Sequence, residues 1–142
     1  MTVLYKIVPN LKLVYYAGFG LCTSGEILQA KRLSSQDPLR STEMKTILDI
    51  RYAELDVDIE DMRTLVEMNR QLIKNGHMPN RTAVISFNKY INVLEDTFHL
   101  LAEGLPIKAS VFNQIQDALK WLELSHAEVE ITQLSKLLLP NH

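Results

Sequence analysis

The chain has 142 residues, 46% of them apolar and 23% charged, with a net charge of −2. That length suits one domain with its own core, and that balance excludes an intrinsically disordered chain. A slightly negative total supplies no general attraction to phosphate backbones or anionic lipid, so nucleic-acid binding is not expected.

Residues 3–8 are rich in β-branched and aromatic side chains and predict a strand. Pro9-Asn10 supplies turn chemistry, and residues 11–17 resume as a second strand, giving an N-terminal hairpin that Gly18 and Gly20 are expected to end. Thr23-Ser24-Gly25-Glu26 is a capping box, in which the threonine hydroxyl accepts from the backbone three residues on and the glutamate reaches back. The short helix after it places Ile27, Leu28 and Lys31 on one side and stops before Asp37-Pro38. Residues 46–50 predict a compact apolar strand, followed by a loop over 52–57.

Asp58 is the expected N-cap of the next helix, with Asp61 three residues on and Met62, Leu65, Val66, Leu72 and Ile73 at helical spacing. Asn75-Gly76 closes it. Residues 83–87 read as another strand, and Asn88 as the cap of a helix carrying Ile91, Leu94, Phe98 and Leu101 and ending at Gly104. Residues 107–112 alternate strictly, which predicts a half-buried edge strand. A capping signal at 113–116 opens a fourth helix with Ile115, Ala118, Leu119 and Leu122, and residues 126–139 predict a fifth, stopped by Pro140. Its stripe of Ile131, Leu134 and Leu138 packs on its own domain or on a second copy.

Cys22 is the only cysteine, which rules out an internal disulfide and a thiolate zinc cluster and fits a reducing, cytoplasmic setting. The apolar run 13–22 imitates a signal-peptide core before a lipid-attachment cysteine. Leu21, however, stands where a small residue belongs, and the run carries strand alternation. No segment reaches the roughly 20 apolar residues of a membrane helix, so no membrane insertion is expected. Asn80-Arg81-Thr82 matches a glycosylation sequon, which has no use without a secretory signal.

The expected fold is α/β. It is a mixed, mostly parallel sheet of four or five strands, made of the hairpin and three strand-helix units, covered by helices and followed by an extra C-terminal helix. The domain is expected over 1–124, with 125–142 as its helical extension. Gly18, the Thr23-Ser24-Gly25-Glu26 turn, Asp37-Pro38, Ile47-Leu48-Asp49-Ile50-Arg51, Ala83-Val84-Ile85, Val111-Phe112 and Ala118-Leu119-Lys120-Trp121-Leu122 together carry a family resemblance. Over 3–124 the chain resembles the STAS-like, or SpoIIAA-like, families related to bacterial anti-sigma-factor antagonists. The resemblance implies a four- or five-stranded mixed sheet and a role in protein recognition or small-ligand sensing. In the antagonists a phosphorylatable serine begins the helix after the central strand. This chain has Asp56-Val57-Asp58-Ile59-Glu60 there, so the phosphosite is not carried over.

Asp49 and Arg51 lie at the carboxyl end of a central strand, where open α/β sheets bind ligands. With Asp58 and Asn88 at nearby helix starts they form the candidate ligand or partner face, the alternative being an ion pair and two ordinary caps. The acidic run 56–61 is explained by the positive end of a helix dipole. Glu95, His99 and Glu103 share a helix face, which without ligands from a second element is a solvated face and not a metal site. No nucleotide-binding loop or nucleophile elbow occurs, and Trp121 reads as a lid on the core. The expectation is a non-enzymatic protein-interaction or regulatory module without cofactor or metal. Its protein partner is unidentified, with a second copy of the chain as one candidate. The alternative is a small-molecule or lipid-binding domain with a pocket between sheet and helices.

Overall fold

The computed structural model describes residues 2–77 and 81–139. Pro140 and the Asn80 of the sequon lie outside them. Strands β1 (Val3–Val8) and β2 (Leu13–Thr23) form the antiparallel hairpin. A short 3-10 turn, Pro9–Leu11, joins them, closed by Lys12 in the left-handed region at φ 50°.

β2 does not end at its glycines. It continues to Thr23 because strand β3 (Lys45–Asp56) runs alongside it and pairs with it in parallel from Leu13↔Lys45 to Thr23↔Asp56. The register slips between Ala17 and Phe19, and Gly20 takes φ 64°, so the glycines absorb an irregularity inside the strand. The loop expected over 52–57 is therefore strand as far as Asp56.

Helix α1 (Ser24–Ser35) starts on Thr23, whose hydroxyl accepts from the Glu26 N–H at 3.3 Å. Helix α2 (Ile59–Lys74) opens on a full capping box: Asp58 accepts from the Asp61 N–H at 2.8 Å, and Asp61 from the Asp58 N–H at 2.9 Å. Gly76 closes it at φ 92°. Strand β4 (Arg81–Ile85) lies two residues earlier than the apolar run indicates. Helix α3 (Ile91–Leu101) follows Tyr90 without a side-chain cap, because the exposed Asn88 accepts instead from the N–H of Tyr90, the residue before the helix, at 2.9 Å. Strand β5 (Lys108–Phe112) leads to helix α4 (Ile115–Trp121), where the expected capping bond does not form. A 3-10 turn, Ser125–Ala127, then enters helix α5 (Glu128–Leu138).

The five-stranded sheet runs β1-β2-β3-β4-β5, parallel except for the hairpin, with β5 on an edge. This order has a consequence for the packing. Each parallel strand lies beside its predecessor, so right-handed crossovers carry α1, α2 and α3 to one face. Only α4 and α5 remain for the other face, where Leu13, Tyr15, Ile47 and Ile85 meet Leu119, Ile131 and Leu139, all under 2% exposed. On the crossover face Val3, Ile7, Val14 and Tyr16 pack with Ile27 and Ala30. Trp121 is half-buried over the α4–α5 core, 5.7 Å from the Phe112 ring. Among the described residues no helix is long and apolar enough to cross a membrane.

Candidate functional site

Strand alternation along β3 turns Ile47 and Asp49 toward α5, and Asp49 is wholly buried there. A carboxylate taken out of water without partners would be strongly disfavoured. Asp49 is instead saturated. The Arg51 fork reaches both its oxygens, Nε to Oδ1 at 2.9 Å and Nη2 to Oδ2 at 2.7 Å. The Tyr15 hydroxyl, from β2, donates to Oδ2 at 2.5 Å. Ser135 of α5 accepts from Arg51 Nη2 at 3.2 Å and donates to Asp49 Oδ2 at 3.5 Å. Burial, and then the adjacent carboxylate, push the Tyr15 phenol far above its ordinary range, so it stays a donor. The Arg51 guanidinium is held charged by its hydrogen bonds to Asp49. The outer edge of this clamp opens on a recess of about 130 Å³ between Arg51, Tyr52, Thr132 and Lys136.

Of the candidate residues, the structure joins Asp49 to Arg51, but in the middle of β3 and not at its carboxyl end, because pairing with β2 carries the strand on to Asp56. Asp58 and Asn88 are exposed; the hydrogen bond of Asp58 caps α2, and that of Asn88 closes the turn before α3. Cys22 is buried, and burial raises its thiol pKa. Glu95 and His99 pair along α3 at 3.7 Å.

A second feature lies on the crossover face. The apolar stripes of α2 and α3 do not close on the sheet. Met62, Leu65, Leu94 and Phe98 stand opposite Leu48, Ile50, Val84 and Val111 around a cavity of about 160 Å³. It adjoins a smaller recess of about 70 Å³, and the two share Tyr16, Lys31, Thr46, Asn69, Thr82 and Ile107 as wall. Arg40 and His77 line the smaller one. Burial, and then Arg40, bring the Lys31 amine down to about 8 and lower the His77 imidazole below its ordinary range. The sequence places Lys31 on the apolar side of α1 with Ile27 and Leu28. A cation on an apolar stripe is the signal that points to this recess, which sequence reasoning did not identify.

No protein-family profile and no curated protein matches the chain. A solved structure does: an uncharacterised protein of the DUF3478 family with a SpoIIAA-like fold, from Shewanella loihica PV-4. It is 17% identical, with a TM-score of 0.56 over 84% of this chain and 93% of that one. The likeness is one of fold, and the five-stranded mixed sheet described above is SpoIIAA-like.

Proposed function

We propose that this SpoIIAA-like domain is a non-enzymatic binding module that holds a small apolar ligand between its sheet and the α2–α3 pair. The observation that carries the reading is the cavity of about 160 Å³ lined by Leu48, Leu65, Val84 and Phe98. Protein interiors are close-packed, with few voids larger than a water molecule. An apolar space of this volume, partly open between α2, α3 and the sheet, departs from that packing. A dry apolar cavity of similar size takes up benzene. Binding without turnover is supported by Asp49 and Arg51, which satisfy each other and leave no acid–base pair poised in the open.

Heat denaturation with and without 1-octanol tests this. The wild type is expected to melt higher with the alcohol, as any ligand of the folded state requires. Leu65→Trp, which fills the space, is expected to melt no lower alone and to ignore the alcohol. An unshifted wild type would refute the reading.

A separate observation supports protein recognition, with a second copy of the chain among the candidate partners. Beyond the carboxyl end of β4, Phe87 is 58% and Tyr90 65% exposed, and the Phe87 ring meets that of Tyr52 in β3 edge to face at 5.9 Å. Exposed aromatics in one place are typical of protein contact sites. Light scattering on the wild type and on Phe87→Ser tests whether that partner is a second copy.

A further inference from the structure

The recess beside the cavity contains cations without counter-charges. Lys31, Arg40 and His77 line it or its shared wall, and none of the residues lining it is acidic. Glu95 is the one acid on the cavity wall among the described residues, and it pairs with His99 along α3. No described carboxylate contributes to the charge state of Lys31 or His77, whose only charged influence is Arg40. The Lys31 ammonium faces the Tyr16 ring, with Nζ 5.7 Å from its centroid. The Arg40 guanidinium lies against the Tyr16 hydroxyl, which also shares a 2.5 Å hydrogen bond with Ser34.

Two polar atoms here are buried with no partner, Arg40 Nε and His77 Nδ1. Buried polar atoms in native proteins are nearly always satisfied, and buried charges are paired. Elsewhere among the described residues the rule is followed: the wholly buried Asp49 has every neighbour it needs. The exception thus adjoins the apolar cavity, the one place where a ligand could remedy it.

We infer that the ligand is an amphipathic carboxylic acid, its tail among Leu48, Leu65 and Phe98 and its carboxylate on Arg40, Lys31 and His77. This rests on the cavity being a binding site, as proposed above. The two oxygens of a carboxylate match the fork of a guanidinium, and Arg40 has an unused Nε to offer it. The recess of about 70 Å³ suits a small head group, and its larger neighbour takes the chain. The charge also fits, since an anion beside two cations relieves a repulsion that the folded chain otherwise bears.

Titration calorimetry of the full chain with octanoate, 1-octanol and octyl phosphate separates the parts of this argument. Octanoate is expected to bind at least about tenfold more tightly than 1-octanol, the preference that a charge-assisted contact confers. Arg40→Gln is expected to erase that preference by weakening octanoate far more than 1-octanol. Lys31→Met provides the same reading should the arginine variant fail to fold. Equal affinity of the wild type for octanoate and 1-octanol would overturn the head-group assignment and leave the cavity reading standing. Tighter binding of octyl phosphate would overturn the carboxylate in favour of a phosphate. Binding of none of the three would overturn both.

Discussion

Replacing Asp49 with asparagine removes one charge and almost no volume. The amide oxygen keeps the donors on its own side, but in either orientation the NH₂ faces an Arg51 nitrogen, donor against donor. Arg51 also loses its counter-charge while its side chain is only 15% exposed. Breaking a buried pair by removing one partner costs about 3–5 kcal/mol. The residual access of Arg51 to water puts this case at the low end, about 3 kcal/mol. With an unfolding entropy near 2.1 cal/mol/K per residue, 142 residues give about 0.3 kcal/mol per degree, so the melting temperature should fall by roughly 10 °C. Differential scanning calorimetry at neutral pH measures it. The double variant Asp49→Leu with Arg51→Leu removes both charges together and is expected to melt closer to the wild type than Asp49→Asn does. A single variant within about 2 °C of wild type, well under the effect worked out above, would refute the claim that this pair anchors α5.

Three further expectations follow from the same geometry. Because the folded-state Lys31 amine titrates at about 8, the unfolded chain binds a proton that the folded one lacks from there up to the ordinary lysine value of about 10.4. Stability should therefore rise with pH across that window, and thermal melts of Lys31→Met should lack the rise; identical slopes would count against a buried amine. Asp58→Ala removes the capping box and is expected to cost about 1 kcal/mol in denaturant titration, with faster hydrogen exchange in the first turn of α2. Cys22, buried and raised in pKa, should react with iodoacetamide only as fast as the chain opens; rapid labelling of the native protein would place it at the surface.

Element order was readable from local signals because caps, glycines and apolar periods are local. Asp58 with Asp61, and Gly76 at φ 92°, are where that reading places them. The length of β2 and β3 was not readable, since pairing over 19–23 and 52–56 is a property of two distant segments. A trace did exist: Ala53, Leu55 and Val57 alternate with Tyr52, Glu54 and Asp56, a strand period in what read as loop. The Asp49–Arg51 pair was legible because residues i and i+2 of a strand share a face. Tyr15 and Ser135, which complete it, arrive from 34 and 86 residues away. The cavity was hidden for a different reason. Apolar stripes on α2 and α3 state which side faces the sheet, and they carry no information on whether that side closes.

The two faces of the sheet have opposite physical demands. An apolar space left unfilled forgoes packing, which matters in a domain whose whole stability is about 5–15 kcal/mol. That cost falls on the crossover face, where α2 buries only Met62 and Val66, and α3 only Ile91. The offset must come from the opposite face, where Tyr15, Leu119, Ile131 and Leu139 are closed to solvent and Asp49 ties α5 to the strands. Mutations on the two faces should therefore differ in kind. Filling the cavity from α2 should raise stability and abolish binding, the trade expected where a site is held open against packing. Loosening α5 should lower stability and leave the preference for octanoate over 1-octanol intact in whatever fraction remains folded.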